Sequence, residues 1–175
     1  MTTKYNEIFE QLLTEYKLSN DFIFSVNFPT EVKDILSDQI LLTKFGITLK
    51  SFDRLYNANE NWENQSIIED NENHFHVDSY IEPVNNKKAF MLGVKTITLL
   101  ADKFQKEKMN NIRFWYSFQT PELGRLHASE NNLEEADDDY FISDRLSFFK
   151  LRDGEDVITI SEFENKFCAI LIIDI

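Results

Sequence analysis

Apolar residues recur at helical spacing from residue 4 to residue 18, where Tyr5, Ile8, Phe9, Leu12, Leu13 and Tyr16 fall on one face. This predicts an opening amphipathic helix, capped by Thr2 or Thr3. The period then changes to two. Phe22, Phe24, Val26 and Phe28 alternate, which predicts a strand ended by Pro29. A second helix is expected over 30–45. Thr30 is its N-cap, Val32, Ile35, Leu36, Ile40 and Leu41 are its buried stripe, and Gly46 is its stop. ITLKSF (47–52) alternates again and predicts a strand. Residues 57–65 are polar and Asn-rich, hence a loop. Residues 66–69 and 74–82 read as a hairpin joined by DNEN (70–73). On its second strand Phe75, Val77, Ser79 and Ile81 face one way, and His74, His76, Asp78, Tyr80 and Glu82 the other.

The clearest helical pattern lies at 86–108. Asn85 or Asn86 caps it, Phe90, Met91, Val94, Ile97, Leu100, Ala101 and Phe104 form its apolar face, and Lys103, Lys106 and Lys108 complement its C-terminal dipole. NIRFWYSFQ (111–119) alternates strictly, with Ile112, Phe114, Tyr116 and Phe118 on one side. A strand, a long helix and a strand permit a right-handed crossover if the two strands are parallel neighbours. Residues 120–139 form a polar excursion with a short helix expected around 129–138. Residues 140–152 read as one or two strands, Asp153-Gly154 as a turn, and 157–160 as a return strand. Ser161 is expected to cap a short helical turn. The apolar run CAILIIDI at 168–175 reads as a strand buried on both faces. The sum is an α+β fold, with mixed α/β as the alternative. One domain over 1–175 is expected, holding a mixed sheet of about six to eight strands and two or three packed helices.

Charge changes the picture more than composition does. The chain has 175 residues and a formal net charge of −13, with 16 Phe and 42% hydrophobic residues. That is enough apolar material for a core. The charge is uneven. Tyr56 to Asn86 holds seven acids and no Lys or Arg, and Glu122 to Glu164 holds thirteen acids against four bases. Such a surface repels nucleic-acid phosphates and anionic lipid and steers basic partners inward. No nucleic-acid or membrane partner is therefore expected. The N-terminus lacks a signal-peptide pattern, and no run of residues is long and apolar enough to span a bilayer, so the expected address is cytoplasmic. The one cysteine, Cys168, lies in an apolar run with no basic neighbour, which predicts a buried, inert thiol.

Catalytic signatures are sparse. Four scattered glycines (46, 93, 124, 154) cannot build a phosphate cradle, and Gly93 reads as a site of close helix packing. No Gly-x-Ser-x-Gly elbow occurs. His74-x-His76-x-Asp78 places two imidazoles and a carboxylate on one predicted strand face, and His127 would complete a metal set. The His-x-His resembles that of cupins, but the acid expected soon after it is missing. Glu134, Glu135, Asp137, Asp138 and Asp139 lack the spacing of an EF-hand and read as a solvated face or as an epitope for basic side chains. Trp62, flanked by Glu60 and Glu63, suits an aromatic anchor ringed by carboxylates. Trp115 reads as core, or as an interface anchor if its face is open.

In broad character (small, acidic and with no evident active site) the chain resembles the immunity proteins that bacteria pair with nuclease toxins. The resemblance implies a cytoplasmic binding module that needs no cofactor and occludes a basic, nuclease-like toxin with carboxylates placed where phosphates would sit. The expected contacts are Glu60, Trp62, Glu63, Glu69, Asp70 and Glu72, then Glu134, Glu135, Asp137, Asp138 and Asp139. Two alternatives stand beside it: a small metal-dependent enzyme using His74, His76 and His127, and a structural or scaffold protein whose acidity serves solubility.

Overall fold

The computed structural model describes residues 1–43, 46–52, 64–81, 85–131, 143–155 and 157–175. In chain order its elements are β1 (Thr2–Tyr5), α1 (Glu7–Glu15), α2 (Asn20–Ser25), α3 (Thr30–Ser37), β2 (Ile40–Thr43), β3 (Gly46–Leu49), α4 (Gln65–Glu72), α5 (Asn86–Lys106), β4 (Ile112–Gln119), α6 (Pro121–Glu130), β5 (Ser143–Lys150), α7 (Ile160–Phe163) and β6 (Ala169–Asp174). Short 3₁₀ turns cover Lys50–Phe52 and Asp78–Tyr80. The fold is α+β. The six strands among the described residues split between a four-stranded sheet of order β1-β6-β4-β5 and a two-stranded ribbon of β2 and β3. Every pairing is antiparallel. The described residues thus hold a four-stranded antiparallel sheet where a mixed sheet of about six to eight strands is expected, no parallel crossover, and more helices than expected.

The long helix forms where its pattern places it. Asn85 caps α5 by accepting from the Lys88 amide at 2.9 Å. Its apolar face lies on one side of the sheet. Phe104 packs edge-on against Phe114 and Phe148, with ring centroids 5.1 and 5.0 Å away, and Phe90 packs against Phe118 at 5.4 Å. Phe114 and Phe148 are cross-strand partners, so their shared face is the core face. Gly93 sits under the Tyr116 ring, and a Cβ built there would lie 2.1 Å from Tyr116 Cζ. Close packing is therefore its role. β6 is buried along nearly its whole length, in keeping with its continuous apolar run. In the described residues no helix is long and apolar enough to cross a membrane.

The departures have local causes. Residues 2–5 form a strand against β6, and the first helix starts only at Glu7 because Asn6 is its cap, accepting from the Phe9 amide at 3.1 Å. Residues 20–25 form a helix, not a strand. Ser19 caps it, Ile23 is buried, and Phe22 and Phe24 stand exposed. Lys95 on α5 then collects the Phe24 and Val26 carbonyls at 2.8 and 2.6 Å. The second helix stops at Ser37, and Ile40 to Thr43 turn back as a strand. The expected strand at 157–160 is absent. Thr159 and Glu162 form a capping box that starts α7 instead.

Candidate functional site

The expected hairpin over 66–82 is replaced by α4, and that one change rearranges most of the candidate residues. Asn64 caps the helix, accepting from the Ile67 amide at 3.0 Å. Ser66, Glu69, Asp70 and Asn73 then recur at helical spacing and point inward. All four are buried, Ser66, Glu69 and Asn73 completely. A buried carboxylate needs hydrogen bonds or a cation to offset lost hydration, and both acids have them. Glu69 accepts from the Ile47 amide on β3 and the Lys150 amide on β5, each at 2.7 Å. It also takes a two-pronged contact from Arg152 at 2.8 and 2.9 Å. Asn73 donates to the Ile47 and Phe148 carbonyls at 2.8 and 3.0 Å. Ser66 donates to the Lys150 carbonyl at 2.8 Å. The side chains of α4 thus join β3 to β5, which share no backbone ladder. Gly46 makes room, since a Cβ there would lie 1.7 Å from Glu69 Oε1.

Asp70 organises the second half of this layer. Trp115 Nε1 donates to its Oδ1 at 2.5 Å and Arg145 to its Oδ2 at 2.7 Å. Its backbone oxygen accepts from Ser147 at 2.7 Å. The Arg145 guanidinium also lies over the Trp115 ring, 5.3 Å from its centroid. Trp115 is therefore tied into the fold on the sheet face opposite α5. On the same face Arg113 grips Asp174 with two bonds of 2.8 Å.

These contacts decide part of the expected contact set. Glu69 and Asp70 are internal counter-ions, not surface charges. Glu72 is part-exposed at the end of α4. Glu60, Trp62, Glu63, Glu134, Glu135, Asp137, Asp138 and Asp139 lie outside the described residues.

The histidines come together differently from the expectation. Residues 74–81 do not form a strand. Only Phe75 bridges β5, exchanging bonds with Leu146 at 3.0 and 2.9 Å. His74 turns its Nδ1 to the Asn71 carbonyl, and its ring meets His76 edge-on at 5.7 Å. His127 lies on α6, its ring tilted against Phe167 with centroids 4.7 Å apart. The set that does converge is His76, Asp78 and Asp144, which offer one ligand atom each, all within 4.8 Å of one another. The turn at Asp78–Tyr80 brings Asp78 round to the start of β5. His76 Nδ1 contacts the Asp144 carbonyl oxygen and lies 3.8 Å from its Oδ1.

Asp144 is the unusual member. It is 1% exposed, its Oδ1 accepts from the Val77 amide at 3.0 Å, and its Oδ2 has no hydrogen-bond donor among the described residues. Burial pushes its carboxyl up to about 8. The neighbouring Asp78 carboxylate adds to the rise, and the Asp78 and Val77 amides oppose it. Elsewhere, burial pushes the Cys168 thiol up to about 11, as suits an inert cysteine.

Sequence reasoning named His76 and Asp78 but missed Asp144, Arg145 and Arg152. The helical period of the polar residues Ser66, Glu69, Asp70 and Asn73 was the available signal, since the neighbouring apolar residues Ile67 and Ile68 show none. Comparison with protein-family models, curated proteins and solved structures finds no match.

Proposed function

We propose that this protein is an acidic binding module that captures and occludes a basic protein in the cytoplasm, in the manner of the immunity proteins it resembles in broad character. One observation carries the reading. Three of its five arginines, Arg113, Arg145 and Arg152, are held by the inward carboxylates Asp174, Asp70 and Glu69. Setting these three neutral pairs aside takes three from the 31 acids and three from the 18 bases, so the whole excess of 13 negative charges lies outside them. The internal carboxylates are neutralised in place, and the excess remains available to a partner.

The contact residues on this reading are Glu60, Trp62, Glu63, Glu72, Glu134, Glu135, Asp137, Asp138 and Asp139. Their carboxylates occupy the partner's phosphate-binding positions, which gives fast, salt-sensitive association. The test is capture from the native host at low salt, followed by an assay of the captured protein's own activity. One basic protein is expected in near-equal amount, inhibited when bound and released by salt. Replacing these acids with Gln or Asn is expected to slow its association while thermal stability holds. An unchanged association rate in that variant would refute the reading.

A further inference from the structure

We propose that His76, Asp78 and Asp144 form a binding site for a divalent transition-metal ion of the Zn²⁺ or Mn²⁺ class. The site differs from the His74, His76 and His127 set that the sequence suggested, and it does not depend on the partner-binding role.

Three observations lead to it. The first is convergence. The three residues lie on different elements, a bridge segment, a 3₁₀ turn and the start of β5, yet their ligand atoms fall within 4.8 Å of one another. In a tetrahedral zinc site with metal–ligand bonds of about 2.0–2.2 Å, ligand atoms sit roughly 3.3–3.6 Å apart. The cluster is thus about one side-chain adjustment from a coordinating geometry.

The second is an oxygen without a partner. Asp144 is 1% exposed, and its Oδ2 accepts no hydrogen bond among the described residues. Native folds rarely leave a buried carboxylate oxygen in that state. The contrast with Glu69 and Asp70, buried nearby, is informative. Both carboxyl oxygens of each of those acids are engaged, and each acid faces an arginine. No arginine or lysine pairs with Asp144 among the described residues. Its neighbours in the cluster are a second carboxylate and an imidazole. Two carboxylates set side by side are held together by a shared proton or by a cation.

The third is the donor set. One imidazole nitrogen and two carboxylates give a divalent ion a neutral complex. The nitrogen favours Zn²⁺ or Mn²⁺ over Mg²⁺ and Ca²⁺, which prefer all-oxygen sites. The His76 side chain is 43% exposed, so the ion can enter from solvent. Three protein ligands leave a coordination position for water or for a donor group from another molecule.

The experiment uses the full, untagged chain, stripped with chelator and titrated by calorimetry with Zn²⁺, Mn²⁺ and Mg²⁺ separately. Co²⁺ serves as a spectroscopic stand-in. One equivalent of Zn²⁺ is expected to bind, with Mg²⁺ weaker by roughly a hundredfold or more. Co²⁺ is expected to give the intense visible bands of a low-coordinate site. His76→Ala and Asp78→Asn change exposed or part-exposed side chains and so should fold. Each is expected to weaken Zn²⁺ by roughly tenfold or more and to abolish the Co²⁺ bands, whereas His74→Ala and His127→Ala leave both unchanged. Asp144→Asn, checked for folding by circular dichroism, should behave like Asp78→Asn. Failure to bind one equivalent, or binding that survives both His76→Ala and Asp78→Asn, overturns the proposal and leaves Asp78 and Asp144 as a pair sharing a proton.

Discussion

Removing the Glu69 carboxylate is the sharpest test of how this fold holds together. In Glu69→Ala two backbone amides, Ile47 and Lys150, lose their acceptor, and Arg152 loses its two-pronged partner. A buried donor left without an acceptor costs about 1–3 kcal/mol. Breaking a buried ion pair by deleting one member costs about 3–5 kcal/mol. The lower end applies to Arg152, because its side chain is 20% exposed and keeps Ser66 Oγ and the Lys150 carbonyl as acceptors. These losses overlap, so the expected total is about 4–6 kcal/mol, a large share of the roughly 5–15 kcal/mol that stabilises an ordinary domain. Glu69→Gln keeps the shape but turns an amide toward amide donors, and about 2–4 kcal/mol is expected. Glu72→Ala, on the same helix but part-exposed, is the control, at about 0.5 kcal/mol or less. Urea unfolding followed by far-UV circular dichroism gives all three values, with the slope checking that the unfolded state is unchanged. A loss below about 1 kcal/mol for Glu69→Ala at unchanged slope would refute the claim that this side chain joins β3 to β5.

Two further outcomes follow from neighbouring features. Tyr116→Phe removes a hydroxyl that is fully buried and accepts or donates no hydrogen bond among the described residues, so it should leave thermal stability unchanged or raise it by about 1 kcal/mol; a clear loss would mean the hydroxyl has a partner. The Cys168 thiol, pushed up to about 11 by burial, stays protonated at pH 8, so iodoacetamide should modify it roughly a hundredfold more slowly in the native protein than in urea, with the native rate climbing only as pH nears 11; equal rates would show an open thiol.

Where the pattern of a segment and its tertiary role agree, the sequence was readable. The helix at Asn86–Lys106, the strand at Ile112–Gln119, the Asn85 cap and the packing of Gly93 all follow from periodicity or from a single local interaction. Where distant partners decide, it was not. Phe22, Phe24, Val26 and Phe28 have strand spacing, yet Ser19 and Lys95 hold this region as a short helix and its end. Residues 66–69 and 70–73 read as a strand and its turn, although Ser66, Glu69, Asp70 and Asn73 carry a helical period. The site behaves likewise. His76 and Asp78 are close in the chain and could be named together, but Asp144 lies 66 residues beyond Asp78, in a segment that reads only as one or two strands. Glu69 and Asp70 looked like surface charge because the arginines that neutralise them, Arg152 and Arg145, are more than 70 residues away.

The side-chain weld on β5 has a consequence for the protein's behaviour in a crowded solution. A strand at the border of a sheet normally offers a row of open backbone groups to any extended segment that drifts past, and this is a route to aggregation. On β5 much of that row, from Leu146 to Lys150, is already taken. Leu146 exchanges both of its bonds with Phe75, the Phe148 carbonyl is held by Asn73, the Lys150 amide by Glu69, and the Lys150 carbonyl by Ser66 and Arg152. A foreign strand would have to displace a helix and an ion pair before making its first hydrogen bond. The same buried polar side chains that hold the ribbon to the sheet therefore also guard that border against intermolecular pairing.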